Sequence, residues 1–104
     1  FSSAADGEIS ITLGRINGAK HLTCFGVETR AEINQSDYRQ CVKPGIRLVQ
    51  LKEKLGTKQL PTAELELSDV EAVMVGGAGQ GIRTISSLLN ITRIHNAFAA
   101  TGSM

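Results

Sequence analysis

Hydrophobic and polar residues alternate most clearly near the start of the chain. Residues 8–13, Glu-Ile-Ser-Ile-Thr-Leu, place an apolar side chain at every second position and are rich in β-branched residues, which is typical of a half-buried strand. Asn17-Gly18 follows, and this dipeptide readily adopts positive φ in a tight hairpin turn. The pattern therefore predicts a hairpin whose return strand is formed by residues 19–25.

Residues 63–68 also alternate, with both leucines on one face, and predict a further strand. Residues 46–55 fit two interpretations. The leucines of this segment are spaced as on a helix, and its Glu and Lys residues favour helices. Ile46 and Val49, in a short segment that ends at Gly56, also permit a strand.

The last part of the sequence predicts a helix after a glycine-rich turn. Residues 72–75 are apolar and lead into the turn at residues 76–81. Apolar residues then recur at helical spacing, which predicts a helix over residues 82–100. Apolar side chains on two of its faces indicate a helix that is buried between neighbours.

Residues 26–43 match neither period and are predicted to be irregular up to Pro44-Gly45. Together the elements predict an α+β chain, in which a partial antiparallel β-domain, residues 1–80, precedes one long C-terminal helix. Because the helical pattern continues close to the end of the sequence, we expect a piece of a longer protein. Residues 81–104 would be the first helix of its truncated helical domain.

The composition of the 104-residue chain excludes several classes of protein. The net charge is +1 and the Lys and Arg residues are dispersed, so no nucleic-acid or anionic membrane surface is indicated. No apolar run reaches the roughly 18 residues of a membrane span. Cys24 and Cys41 lack a Cys-x-x-Cys spacing, which favours free thiols in a reducing intracellular compartment, cytoplasmic or mitochondrial.

A strand, a glycine cluster and a helix are also the context of a dinucleotide-binding fingerprint. The spacing does not fit, because the third glycine would fall at Ile82 and no acidic residue follows about 20 positions later. We therefore predict that the turn is a flexible connection between domains. His21 and Cys24 are spaced as metal ligands can be, but without a second pair they predict no metal site.

Asn90 and Arg93 are the most informative polar residues of the predicted helix. Their spacing places them on one face, and Arg83 lies one heptad before Asn90 on a similar side. An Arg on a buried apolar helix must be paired or hydrogen-bonded. Two interpretations stay open: a structural ion pair, or a polar stripe in which Arg93 meets an anionic or carbonyl group of a ligand.

Several short motifs stand in order along the second half of the chain. They are Lys54-Leu55-Gly56-Thr57-Lys58, Pro61-Thr62, a strand over Glu64–Leu67, Val75-Gly76, Gly79-x-Gly81 and Leu89-Asn90-x-x-Arg93. This combination resembles the junction between the middle β-domain and the first helix of the C-terminal domain in the acyl-CoA dehydrogenase superfamily. The similarity covers residues 45–104 and is strongest to the alkylation-response branch, while the hairpin around Asn17-Gly18 is similar to an earlier hairpin of the same β-domain.

The resemblance implies a strand at residues 46–55 and, for the full-length protein, a homo-oligomer that uses FAD to dehydrogenate the α and β carbons of an acyl-CoA. It implies that Asn90 and Arg93 bind the substrate. Thr23 and Cys24 are nearest to the positions that contact the flavin.

No catalytic residue is assigned. Some members carry a glutamate base immediately before the arginine of this helix, where this chain has Thr92. We therefore expect a fragment of an FAD-dependent acyl-CoA dehydrogenase-like flavoprotein that is inactive by itself. The alternative is a non-catalytic β-rich remnant that acts as a protein-interaction module.

Overall fold

The computed structural model of the chain describes residues 2–30 and 42–104. Cys41 and most of the segment predicted to be irregular lie outside these residues. The elements are, in order, β1 (Ile9–Gly14), a short 3-10 helix (Ile16–Gly18), β2 (Thr23–Glu28), β3 (Ile46–Leu51), β4 (Ala63–Leu67), β5 (Val73–Val75) and α1 (Gly81–Ser103). The described strands form a sheet of order β1-β2-β5 and a sheet of β3 and β4. Antiparallel sheets followed by one long helix confirm the predicted fold class.

The chain divides into two compact units that interleave along the sequence. The first comprises Phe1–Ile11 and Gly26–Val73, and the second comprises Thr12–Phe25 and Met74–Met104. The predicted division at residue 80, into a β-domain and a helical domain, stays a prediction. In the structure, α1 belongs to the same compact unit as the tip of the β1–β2 hairpin.

The hairpin of β1 and β2 turns at the predicted dipeptide, but over a longer loop. Asn17 and Gly18 have φ of 48° and 72°, in the left-handed region that Asn and Gly tolerate best. The N–H of Ala19 donates to the carbonyl oxygen of Ile16 at 2.9 Å and closes the 3-10 helix. Because the loop continues to residue 22, the return strand begins later than the tight turn predicts.

β2 occupies Thr23–Glu28, so the predicted bounds of the return strand, 19–25, and the predicted start of the irregular segment 26–43 are wrong. Pairing continues even beyond the strand, because the N–H of Thr29 donates to the carbonyl oxygen of Glu8 at 2.8 Å. The strand is defined by its neighbour in the sheet and not by its own alternation, and β-propensity depends strongly on such context.

β3 and β4 pair antiparallel, with Ile46 opposite Leu67 and Leu51 opposite Ala63. This pairing confirms the strand that the resemblance implies, although it ends at Leu51 and not at Leu55. The helical spacing of its leucines is overridden because β4 pairs with it from Ile46 to Leu51, with one irregularity between Leu48 and Gln50.

Few side chains of the described residues are fully buried. Cys24 and Val27 of β2 and Ala63 of β4 are the buried apolar residues, and Thr23 and Thr29 are the buried polar ones. Both threonine hydroxyls are hydrogen-bonded to the backbone, as buried polar groups usually are. The small core agrees with the low aromatic content of the sequence.

α1 spans Gly81–Ser103 and confirms the helix predicted over 82–100. Gly81 is its one buried residue, and Phe98 is 73% exposed. Within the described part of the chain, nothing provides the neighbours that the apolar faces of α1 lead us to expect. No helix among the described residues has the length and apolar character needed to cross a membrane.

Candidate functional site

The glycine-rich turn before α1 is fixed to the start of β2, and this arrangement lies within the second unit. The N–H of Gly79 donates to Thr23 Oγ1 at 2.8 Å, and the N–H of Gly81 donates to the carbonyl oxygen of Leu22 at 2.8 Å. Gly76 and Gly79 have φ of 77° and 74°, a conformation that other residues rarely adopt. Two amides of the turn are thus hydrogen-bonded to Thr23 and Leu22, while the prediction of a flexible connection between domains stays a prediction.

Gly81 is required by its surroundings as well as by its hydrogen bond. A Cβ at this position would lie 2.8 Å from the carbonyl oxygen of Leu22 and 2.9 Å from both the carbonyl carbon of Thr23 and Leu13 Cδ2. Two of these neighbours are backbone atoms, which cannot rotate away. Sequence reasoning missed this role, since nothing in a single sequence separates a glycine needed for close packing from one needed for a turn.

The same hydrogen bonds bear on nucleotide binding at the turn. A phosphate cradle needs free N–H groups at the start of a helix. The N–H groups of Gly79 and Gly81 are occupied by Thr23 and Leu22, and the N–H of Gln80 donates to the carbonyl oxygen of Gly77 at 3.1 Å. Three N–H groups of the turn are therefore already bonded, which adds to the argument against a phosphate site from the spacing of its glycines.

Thr23 and Cys24, the predicted flavin contacts, are adjacent and each 1% exposed. The Thr23 hydroxyl accepts the Gly79 N–H, and Cys24 is a free buried cysteine. Because both side chains are buried, neither presents a polar atom at the surface that a flavin could contact. What the structure assigns to Thr23 is a positioning role, since it holds the turn from which α1 begins.

Asn90 and Arg93 are exposed on α1. At about 1.5 Å per residue they lie about 14 and 18 Å along the helix axis from Gly81. Neither side chain makes a hydrogen bond or an ion pair with any residue between 2 and 30 or between 42 and 104. Arg93 therefore has no ion-pair partner among the described residues, and the side chains of Asn90 and Arg93 are both available to a ligand.

Thr92 lies between these residues, where a catalytic carboxylate stands in some similar enzymes. Its hydroxyl donates to the carbonyl oxygen of Leu89 at 2.9 Å, the local bond that threonine commonly makes in helices. The sequence of α1 contains no Asp or Glu. His21 and Cys24 do not form part of any cluster of three or more metal-ligating side chains among the described residues.

By fold, the chain is similar to a segment of an acyl-CoA dehydrogenase, with antiparallel sheets that lead through a glycine turn into one long helix. No family model matches the sequence. Among curated proteins, the sequence is similar to acyl-CoA dehydrogenase family member 11 of Caenorhabditis elegans, at 45% identity over 112 residues. This match covers 100% of the chain and 17% of the relative, so the chain is homologous to less than a fifth of that protein.

Two solved structures agree. The crystal structure of Caenorhabditis elegans ACDH-11 in complex with C11-CoA superposes with a TM-score of 0.76 at 43% identity, over 95% of this chain and 17% of that one. The apo form of Bd2924 superposes with a TM-score of 0.76 at 42% identity, over 96% and 19% of the two chains. The resemblance inferred from short motifs is thereby confirmed at the level of the acyl-CoA dehydrogenases, and the alkylation-response branch stays a prediction.

Proposed function

We propose that this chain is the segment of an FAD-dependent acyl-CoA dehydrogenase-like protein that joins the β-domain to an acyl-CoA-facing helix. Asn90 and Arg93 of α1 would contact the acyl-CoA. The observation that carries the proposal is the match over 95% of the chain to a structure solved with C11-CoA. The exposed, unpaired state of both side chains within the described residues supports it.

The chemistry of the two side chains suits such a ligand. The Arg guanidinium stays charged at all relevant pH values and donates in a planar fork to phosphate or carbonyl oxygens. The Asn amide both donates and accepts. Because α1 starts at the fixed Gly81, Thr23 and the glycine turn would set where these two groups stand relative to β2.

FAD is the cofactor that the family name implies for full-length members. A flavin contact by Thr23 or Cys24 stays a prediction, since each would first have to become uncovered. We also propose that the chain alone does not dehydrogenate an acyl-CoA, because Thr92 cannot remove a proton as a carboxylate does. The homo-oligomeric state of the full-length protein stays a prediction.

A chimaera tests the proposal. The chain replaces the matching segment of the Caenorhabditis elegans relative, and C11-CoA binding is measured by calorimetry with and without Arg93→Ala. Loss of a hydrogen bond from a charged group costs about 1.5–3 kcal/mol, so we expect binding to weaken roughly 10- to 150-fold. The flavin absorbance should not change.

Arg83→Ala is the matched control, because this exposed Arg lies ten positions earlier, about 15 Å along the same helix. It should leave C11-CoA affinity unchanged. Equal affinity of the Arg93→Ala chimaera and its parent would refute the proposed role.

The alternative function, a protein-interaction module, rests on the apolar side chains that α1 exposes. Ile82, Leu88, Ile91, Ile94 and Phe98 are each more than half exposed, and an apolar patch of this kind often marks an interface. A visible absorption spectrum of the chain after incubation with FAD and desalting separates the two functions. A retained flavin band favours the dehydrogenase segment, and a colourless soluble chain favours the module.

A further inference from the structure

A groove in the first unit has properties that the proposed function does not use. The segment that joins β3 to β4 folds around an open cavity of about 790 Å³. Its lining combines the apolar side chains of Leu51, Leu55, Leu60 and Pro61 with three lysines and one acidic residue. The charged residues are Lys52, Lys54, Lys58 and Glu53, so the groove carries an excess of positive charge.

Lys54 contributes a charge that is held in place but not neutralised. Its Nζ donates to the carbonyl oxygens of Thr57 and Leu60 at 2.8 and 2.9 Å and to Thr62 Oγ1 at 2.9 Å. All of these acceptors are neutral, and no carboxylate of the described residues pairs with Lys54. A positive charge fixed in this way attracts an anion without the entropy cost of ordering a flexible side chain.

Lys58 complements this fixed charge. It is exposed, and its ammonium group makes no hydrogen bond or ion pair within the described part of the chain. Its three N–H donors are therefore available to an anionic group in the groove. Lys54 would supply the electrostatic field, and Lys58 would supply the direct contact.

A smaller apolar cavity adjoins the groove. Its volume is about 280 Å³, and Leu51 and Pro61 line both cavities. Ile46, Leu48 and Leu65 form further apolar walls of the smaller cavity, and Asp6, Thr29 and Arg30 are its polar lining residues. Both cavities lie in the first unit, so Leu51 and Pro61 are shared between a mostly apolar cavity and the groove that three lysines line.

We propose that these adjoining cavities bind an anionic amphiphile, a single aliphatic chain with a carboxylate or phosphate head group. The chain would lie on Leu51, Pro61 and the walls of the smaller cavity, and the head group would meet Lys58 in the field of Lys54. This site does not involve Asn90 or Arg93, so it is a separate site from the acyl-CoA contact proposed above.

Calorimetry of the chain with matched ten-carbon amphiphiles tests the site. Decanoate and decyl phosphate distinguish the two head groups, and decyltrimethylammonium is the cationic control, all below their micelle concentrations. We expect the cation to bind at least about tenfold more weakly than the better anion. The lysines attract an anion and repel a cation, and the two interaction energies differ by a few kcal/mol near a protein surface.

Two charge reversals locate the binding. Lys58→Glu should weaken the better anion about tenfold or more, whereas Lys20→Glu, in the loop between β1 and β2, should not weaken it. Both side chains are exposed, so neither change should unfold the chain. Undetectable binding of both anions, equal binding of the cation, or equal loss in both variants would overturn the proposal.

Discussion

Gly81→Ala tests whether α1 is fixed to β2. The added Cβ would lie 2.8 Å from the carbonyl oxygen of Leu22 and 2.9 Å from the carbonyl carbon of Thr23. Side-chain Cβ atoms essentially never approach other heavy atoms so closely, so the helix start or β2 must move. That movement also lengthens the hydrogen bond from the Gly81 N–H to Leu22, which is 2.8 Å in the native chain.

Two effects of opposite sign decide the magnitude. Alanine is favoured over glycine inside a helix by about 0.5–1 kcal/mol, and by less at the first helical residue, where fewer backbone groups are ordered. Overpacking of a filled position costs about 1–3 kcal/mol. The steric term is larger, so we expect Gly81→Ala to lower the free energy of unfolding by about 1–2 kcal/mol.

Gly102→Ala is the matched control in the same helix. No atom lies within 4 Å of a Cβ at Gly102, so only the helix preference acts, and the change should be neutral or stabilising by at most about 1 kcal/mol. Urea unfolding followed by circular dichroism measures both variants. If Gly81→Ala is as well tolerated as Gly102→Ala, the start of α1 is not packed on β2 and the turn is a free connection.

Two further predictions concern single hydrogen bonds. Thr23→Val keeps the side-chain shape but leaves the Gly79 N–H without its acceptor, so it should destabilise the chain by about 1–3 kcal/mol and speed amide exchange at Gly79. Thr23→Ser, which keeps the hydroxyl, should protect that amide, and equal exchange in both variants would contradict the role. The pKa of Glu28 lies below its ordinary value, first because Lys43 donates a hydrogen bond to it and second because Lys43 is positively charged. The pair therefore stabilises the fold at pH values above the unfolded-state pKa of Glu28. This stabilisation is lost as the pH falls through the lower, folded-state pKa. Lys43→Gln should raise the Glu28 pKa in an NMR titration, and an unchanged titration would show that the pair does not form in solution.

The regular elements could be predicted where the residues themselves carry the period. β1, β4 and α1 are found close to their predicted bounds because alternation or helical spacing continues along each segment. The bounds of β2 and β3 could not be predicted in the same way, since each is defined by the strand with which it pairs. Only the family resemblance selected a strand for β3.

The candidate site was predictable in its residue types but not in its contacts. The spacing of Asn90 and Arg93 places them together on α1, and the structure leaves both exposed. The bond from Gly79 to Thr23 joins residues that are far apart in sequence, and no local pattern indicates it. The family resemblance implies a flavin contact for Thr23, which stays a prediction, whereas the hydrogen bond that its hydroxyl makes in the structure is with the glycine turn.

The most direct test of the proposed function is the affinity of the chimaeric dehydrogenase for C11-CoA, measured by calorimetry for the parent, Arg93→Ala and Arg83→Ala proteins. We expect Arg93→Ala to weaken binding roughly 10- to 150-fold, with unchanged flavin absorbance, and Arg83→Ala to bind like the parent. Equal affinities for all three proteins, or an equal loss in both variants, would contradict a specific contact between Arg93 and the acyl-CoA.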